Sequence, residues 1–202
     1  YTKESSPDLN FTASDTNAVS TMYVTNTSGC ASGGSDETYV NTKASWALLQ
    51  SNALATVYFK LKDIAGNWST CLSGTITHDS IAPGTPSITI SSGAVYTTSL
   101  ANTLGLSATD ANEMYITNTP ACADSGVYES YNTIKSWTLA NSDQANSIYV
   151  KYRDLAMNES TCVSDSITHD GIDPTAPTTM DDALSASENS SSRLEWDSGT
   201  DS

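Results

Sequence analysis

The feature of this sequence that most constrains its fold is an internal duplication of about ninety residues. The segment 63–71, Asp-Ile-Ala-Gly-Asn-Trp-Ser-Thr-Cys, matches 154–162, Asp-Leu-Ala-Met-Asn-Glu-Ser-Thr-Cys, 91 positions later. The same offset relates Ile-Thr-His-Asp at 76–79 to 167–170, and it drifts by a few residues towards the amino terminus. Such drift is typical of insertions in surface loops. A unit of this size can bury its own core, so the duplication predicts two consecutive domains of one fold.

The alignment of the two copies sets the predicted domain boundaries. We expect the first domain to span residues 1–83 and the second 84–177. Tyr1 aligns with Tyr96, so the first copy is expected to lack the first strand, which the second copy has within Pro86 to Val95. Residues 178–202 match neither copy, and we expect them to begin a further domain or to form a disordered tail.

The hydrophobic pattern within each copy predicts strands. In the second copy, apolar residues alternate with polar ones in short runs such as Ser87 to Ile90 and Ser147 to Tyr152, and no segment keeps a helical period. Roughly six or seven such runs separated by turn residues are typical of an immunoglobulin-like sandwich. The predicted fold class is therefore all-β, with tandem immunoglobulin-like β-sandwiches joined by short Pro-containing linkers.

The repeated Asp-x-Ala-x-Asn segment predicts a tight turn between two strands. The first copy places Gly66 at its fourth position and the second places Met157 there. A methionine is costly in the left-handed conformation. We therefore expect Asn67 and Asn158 to carry the left-handed backbone, because asparagine tolerates it better.

The charge and composition exclude several classes of function. Lys plus Arg is 8 and Asp plus Glu is 23, so the net charge of −15 disfavours nucleic acid and anionic lipid as partners. No apolar run is long enough to span a bilayer, so no membrane insertion is expected within this segment. There is no C-x-x-C pair and His occurs only twice, which argues against zinc.

No catalytic constellation is evident in the sequence, and we expect the chain not to be an enzyme. His78 and His169 occupy equivalent positions in the two copies, so we expect an exposed structural role for both rather than catalysis. The alternative is a pair of facing carboxylates of the glycosidase type among the 23 acidic residues.

The four cysteines fall two to a copy, at Cys30 and Cys71 and at Cys122 and Cys162. Repeat symmetry favours the disulfides Cys30–Cys71 and Cys122–Cys162, each tying a loop to the last strand, among three connectivities and the alternative of free thiols. Each bond would close a loop of about 40 residues and contribute roughly 4 kcal/mol. Disulfides also imply an oxidising compartment.

The segments 46–83 and 137–174 resemble the bacterial Ig-like repeats of large surface proteins and adhesins. The resemblance rests on a Trp strand, a run such as Val57-Tyr58-Phe59-Lys60, the Asp-x-Ala-Gly-Asn-x-Ser turn and a following Asp and Ala-Pro. Met157 and Asp173-Pro174 depart from it. The resemblance implies an extracellular location at the bacterial cell surface and a role as a stalk whose partners are neighbouring repeats of the same parent chain.

Three aspartates form a candidate calcium site. In an immunoglobulin-like sandwich, the loop after the second strand and the last hairpin face the preceding domain, which would bring Asp110 and Asp154 close to the linker residue Asp79. Some repeats that this chain resembles hold calcium between domains in this way. The alternative is that Asp154 caps its own turn and that Asp79 is a solvated linker charge.

The tryptophans divide into two groups. Trp46 and Trp137 are equivalent and are expected in the core, whereas Trp68 follows a turn and is replaced by Glu159 in the second copy. An exposed Trp68 is a candidate ligand-binding residue for a cell-surface glycan or protein.

The sequence leaves three interpretations of function. We expect a non-catalytic structural stalk or spacer of an extracellular bacterial surface adhesin or fibre. The alternatives are a module that binds a glycan or protein directly, and a filament subunit completed by a strand from a neighbour.

Overall fold

Strands and three single-turn 3-10 helices make up the regular structure of the chain. The computed structural model describes residues 1–16, 18–176, 180–182 and 194–196. The 3-10 turns are Ser28–Cys30, Ser91–Gly93 and Pro120–Cys122. The strands are β1 (Leu9–Asn10), β2 (Val19–Thr25), β3 (Asp36–Thr38), β4 (Thr42–Lys43), β5 (Leu54–Asp63), β6 (Leu72–Thr77), β7 (Gly84–Ile90), β8 (Tyr96–Thr97), β9 (Ala101–Thr109), β10 (Glu113–Thr117), β11 (Tyr128–Ser130), β12 (Ile134–Thr138), β13 (Ala145–Arg153), β14 (Val163–His169), β15 (Met180–Asp182) and β16 (Leu194–Trp196).

We call residues 1–83 the N-terminal half and residues 84–176 the C-terminal half. The N-terminal half has a four-stranded sheet of order β3-β2-β5-β6 and a two-stranded pair, β1-β4. The C-terminal half has sheets of order β11-β10-β13-β14-β8 and β12-β9-β7. Among the described strands no pairing joins one half to the other. The chain is thus all-β, with an immunoglobulin-like sandwich in each half.

Each half has its own hydrophobic core. Strand β13 buries Ile148, Val150 and Tyr152 at alternate positions, with no exposed surface on any of them. These residues pack against the inner faces of β7, β9, β10 and β14. In the N-terminal half the buried cluster is smaller and comprises Phe11, Met22, Val24 and Val57. Period-2 alternation therefore places the cores between the two sheets of each half, as the sequence pattern predicts.

One strand distinguishes the two halves. Strand β7 forms an edge of the sheet β12-β9-β7, where Pro86 is tolerated because an edge strand needs fewer amide donors. Among the described residues of the N-terminal half, no strand corresponds to β7.

Both disulfides have the connectivity expected from repeat symmetry. Cys30 is bonded to Cys71 and Cys122 to Cys162, with Cα–Cα distances of 5.8 and 5.9 Å. Each bond joins a 3-10 turn to the residue immediately before β6 or β14. Among the described residues no cysteine is free.

The expected position of the left-handed residue was wrong. Gly66 and Met157 carry the positive φ, at 93° and 67°, rather than Asn67 and Asn158. The reason is a pair of hydrogen bonds that hold each asparagine: the carboxylates of Asp63 and Asp154 accept both its backbone N–H and its side-chain amide. The preceding residue must then adopt the left-handed conformation whatever its side chain.

The expectation that the two histidines are exposed was also wrong. His78 is 3% exposed and His169 is 7% exposed. The Nδ1 atom of each accepts a backbone N–H, from Asn52 at 2.9 Å and from Asp143 at 3.0 Å. Each histidine therefore closes the loop before the long central strand, which is a structural role.

Trp46 and Trp137 lie at the margin of the core. Both are half-buried and pack against the buried cluster of their own half. Their indole N–H groups donate to Asn26 at 3.0 Å and to Asn118 at 3.2 Å. A tryptophan at such a site buries its ring while its N–H keeps a partner.

The described residues 180–182 and 194–196 form an antiparallel pair, β15 with β16. Most of the predicted segment 178–202 lies outside the described residues, and its expected role stays a prediction. No helix among the described residues has the length and apolar character needed to cross a bilayer.

The left-handed backbone conformation of Met157 predicts how substitutions there change stability. Replacing it by glycine should raise the free energy of unfolding by about 0.5–1 kcal/mol, because glycine adopts this backbone without a steric cost. Little packing is lost, since Met157 is 52% exposed. The reciprocal variant Gly66→Met should lower the free energy by a similar amount. Guanidinium unfolding with the disulfides intact measures both, and a neutral Gly66→Met would contradict this account.

Candidate functional site

Three carboxylates converge where the two halves meet. The side chains of Asp79, Asp110 and Asp154 each place an oxygen within 4.8 Å of the others. Asp79 lies two residues after the end of β6, and Asp110 and Asp154 directly follow β9 and β13. The structure therefore brings together the three residues predicted as a calcium site.

Asp154 is the buried member of this cluster, at 2% exposure. Its Oδ1 accepts the backbone N–H groups of Ala156 at 2.7 Å and Asn158 at 3.0 Å, and its Oδ2 accepts the side chain of Asn158 at 2.8 Å. Asp154 thus caps its turn, as the alternative interpretation held. One lone pair of Oδ2 is not used by these bonds.

The equivalent turn of the N-terminal half shows what the junction adds. Asp63 makes the same bonds to Asn67, at 2.8 and 2.9 Å, but is only half-buried. The hydrogen bond from the Asn67 side chain holds the pKa of Asp63 below its usual value. Asp154 is buried more deeply than Asp63 although both hold the same turn, and at the junction its turn also contacts Asp79.

Asn158 connects the two halves directly. Its side-chain amide donates to the backbone carbonyl of Asp79 at 2.8 Å as well as to Asp154. Sequence reasoning did not assign Asn158 to the junction, although the matched Asn67 and Asn158 were a signal for it. The Asp79 carboxylate accepts the N–H of Ile81 at 3.0 Å, which fixes the first residues of the linker.

Asp110 is the exposed member of the cluster. Its φ of 60° is left-handed, a conformation that aspartate adopts more readily than most residues. The turn that carries it is held by a bond from the Asn112 N–H to the carbonyl of Arg153, at 2.9 Å. This places Asp110 beside the end of β13.

The arrangement fits a hard divalent cation. Calcium binds oxygen ligands at about 2.3–2.6 Å, so ligands on opposite sides of the ion stand up to about 5 Å apart. The 4.8 Å limit among the three carboxylates lies within that span. Three like charges this close repel one another, and a cation bound between them would offset that repulsion by its attraction to each carboxylate. Backbone carbonyls and water would complete the six to eight oxygens that calcium requires.

Trp68 lies under two lysine side chains. It is 38% exposed, and the ammonium groups of Lys60 and Lys62 stand 4.8 and 4.7 Å from its ring centroid. In the C-terminal half the equivalent Glu159 forms a salt bridge of 2.8 Å with Lys151. This hydrogen bond, with a second from Tyr128, lowers the pKa of Glu159. A ligand that stacks on Trp68 would therefore have to compete with the lysines.

The comparisons with known proteins concern the fold. No protein-family model matches the chain, and no curated protein matches it. Among solved structures it is similar to a chain described as "Structures of Clostridium thermocellum CbhA fibronectin(III)-like modules", with a TM-score of 0.50 and 13% identity. The match covers 82% of this chain and 86% of that chain. The likeness supports an immunoglobulin- or fibronectin-type β-sandwich fold.

The carboxylate cluster predicts a response to calcium. Calcium a hundredfold above its dissociation constant should raise the free energy of unfolding by about 2.7 kcal/mol. Asp110→Asn should abolish most of this gain while keeping the left-handed backbone, and in EDTA it should stabilise the chain because it removes a repulsion.

Thermal unfolding with calcium, with magnesium and with EDTA measures the effect. Asp173→Asn is the matched control, because Asp173 is exposed near the other linker and lies outside the cluster. Equal melting temperatures in calcium and in EDTA would contradict a calcium site at these three residues. So would an Asp110→Asn variant that responds to calcium as the wild type does.

Proposed function

We propose that this chain is a non-catalytic spacer of an extracellular bacterial surface protein, of the adhesin or fibre type. The observation that carries the proposal is that each half is a sandwich held closed by its own disulfide, with a short Pro-bearing segment between the halves. Such a unit supplies length and stiffness, since each module contacts only its neighbours.

The disulfides support the extracellular location. Two bonds that close loops of 41 and 40 residues persist in oxidising compartments and are rare in a reducing cytosol. The net charge of −15 adds to this, because acidic surfaces keep neighbouring copies apart at a crowded cell surface.

The junction contacts support a spacer that transmits orientation. The Asn158 side chain ties the turn after β13 to the carbonyl of Asp79, and the three carboxylates stand around the same point. A calcium ion there would make the angle between the halves depend on the metal. Without it, one hydrogen bond and the linker would define that angle more weakly.

A spacer role predicts a specific response to force. Pulled from its ends by force spectroscopy, the oxidised chain should unfold in steps shortened by the residues locked inside each disulfide. Reduction should lengthen each step by roughly 140 Å, because about 40 residues at 3.3–3.6 Å each become extensible.

The rival function is direct binding of a glycan or protein at Trp68. We expect arrays of glycans and surface proteins to show no binding that distinguishes the wild type from Trp68→Ala. Because Lys60 and Lys62 are present in both proteins, the local charge is unchanged. The comparison therefore measures the contribution of the indole ring of Trp68 alone. Saturable binding that Trp68→Ala removes would overturn the spacer proposal in favour of a binding module.

A further inference from the structure

The N-terminal half has an open cleft where the edge strands β3 and β4 approach each other. Strand β3 is the outermost strand of its sheet, and β4 belongs to the two-stranded pair β1-β4. The cleft has a volume of about 340 Å³, which lies within the range of small-molecule sites. Its walls are the Trp46 ring, the ion pair of Glu37 with Lys43, and the loop 33–35, with the buried Val24 beneath.

Trp46 supplies a fixed aromatic surface on one side of the cleft. Its indole N–H donates to Oδ1 of Asn26 at 3.0 Å, and the Asn26 amide donates in turn to the carbonyl of Ala47 at 3.1 Å. The ring packs against the buried cluster of its half but stays partly exposed. A ring that is already held in place loses little conformational entropy when a ligand packs against it.

The Glu37–Lys43 ion pair forms the polar side of the cleft. Glu37 lies opposite Met22 on β2 and Lys43 lies opposite Leu9 on β1, so both side chains start from inward-facing positions. Nζ of Lys43 donates to the two carboxylate oxygens of Glu37 at 2.8 and 2.7 Å, and stands 5.4 Å from the centre of the Trp46 ring. The residues that line the cleft therefore carry no net charge, in a chain whose net charge is −15.

The same ion pair keeps capacity for further hydrogen bonds. A carboxylate has about four lone-pair sites and an ammonium group has three N–H donors. The bonds between Lys43 and Glu37 use at most two of each, so acceptors on Glu37 and a donor on Lys43 stay available. A hydroxyl group both donates and accepts, and it can therefore use both members of the pair.

The loop on the third side reaches the cleft largely through its backbone. A Cβ at Gly34 would stand 2.4 Å from the carbonyl oxygen of Val24 and 2.8 Å from the Tyr23 ring, so this close approach requires glycine. The Gly34 N–H donates to the Tyr23 hydroxyl at 3.1 Å, which holds the loop against the sheet. Gly33 has no side chain either, so Ser35 provides the hydroxyl on this side.

We propose that this cleft binds one neutral pyranose ring, either as a free saccharide or as a unit of a glycan. The apolar C–H face of the sugar packs on Trp46, and its hydroxyl groups exchange hydrogen bonds with the ion pair and with Ser35. A carboxylate or an amino group on the sugar gains no net attraction, because the two charges of the cleft are paired with each other. This site goes beyond the spacer role and does not depend on it.

The C-terminal half offers a matched comparison, because it has the same ring and ion pair with a different loop. The equivalent residues are Glu129, Lys135 and Trp137, and Lys135 contacts Glu129 at 2.5 Å. The residue in the place of Ser35 is Val127, which is 81% exposed. Ser35→Val is therefore a substitution that the same fold accepts in its other half, and Glu129→Gln is a control for changes to the ion pair.

Nuclear magnetic resonance of the whole oxidised chain tests the proposal. The probes are the methyl pyranosides of glucose, galactose and mannose, with glucuronic acid, glucosamine and cyclohexanol as comparisons. At least one neutral glycoside should saturate a single site, with a dissociation constant on the order of 1 mM for a ligand of this size. The shifts should be confined to the Trp46 indole N–H and the amides of Gly33, Gly34 and Ser35. Cyclohexanol, which has a single hydroxyl, should bind at least about tenfold more weakly.

Substitutions locate the site. Glu37→Gln keeps the side-chain volume and should weaken binding by about tenfold, because a hydrogen bond to a charged acceptor becomes one to a neutral acceptor. Ser35→Val should weaken it by roughly threefold to tenfold, because one hydrogen bond is lost. Glu129→Gln should bind as the wild type does, and so should Trp68→Ala, since Trp68 does not line the cleft. Unchanged resonances outside the cleft show that each variant is folded.

Each outcome decides the proposal. Saturable binding of a neutral glycoside with this pattern of shifts and substitutions supports it. Absence of a saturable shift at Trp46, at concentrations far above the expected dissociation constant, overturns it. Tighter binding of glucuronic acid or glucosamine, or equal binding of cyclohexanol, contradicts recognition of a neutral sugar. Equal effects of Glu37→Gln and Glu129→Gln contradict the assignment to this cleft.

Discussion

The structure depends on burial of one face of the long strands β5 and β13, each of which is paired on both edges. Three consecutive inward positions of β13, Ile148, Val150 and Tyr152, are completely buried. The facing sheet, the turn after the strand and the disulfide are all arranged around this row. Burial of each such side chain contributes about 1.5–3 kcal/mol, more than any surface ion pair in the chain can supply. Strand β5 has the same row, in Val57, Phe59 and Leu61, but two of its three members are only half-buried.

The turn that follows each long strand connects the core to the junction. The carboxylate of Asp63 or Asp154 holds the asparagine four residues later, so the turn is defined by its own side chains rather than by its surroundings. In the C-terminal half this rigid turn presents Asn158 and Asp154 to the residues after β6. The turn motif of the C-terminal half is thereby also a contact surface. The three acids meet there because three strand ends meet there, and their close approach follows from the fold.

Much of this architecture could be predicted from the sequence, because alternation and duplication are strong signals. The strands around Ile148 and Ile88 and the pairing of Cys122 with Cys162 follow from period and symmetry. The burial of the histidines could also have been read from the period, since His78 and His169 lie two residues after Ile76 and Ile167 and so on the same inward face. What misled the prediction was their polarity: a buried imidazole is tolerated here because its Nδ1 accepts a backbone N–H.

Other features were beyond sequence reasoning because they depend on contacts between distant residues. Residue propensity argued against a left-handed Met157, but two hydrogen bonds between Asp154 and Asn158 outweigh a cost of about 1–2 kcal/mol. The strand β11 is three residues long, too short for a period to be visible, and exists because it pairs with β10. The covering of Trp68 by Lys60 and Lys62 likewise follows from the pleat of β5, which puts both lysines on one face.

Each disulfide contributes to stability on the same scale as part of a hydrophobic core. A bond that closes a loop of about 40 residues contributes roughly 4 kcal/mol on the chain-entropy model. Burial of two isoleucines, as Ile88 and Ile90 provide in the C-terminal half, contributes about 3–6 kcal/mol. Each disulfide is thus of the same magnitude as the contribution of those two isoleucines. In each half the covalent bond therefore adds to the free energy of unfolding an amount comparable to the burial of two core side chains.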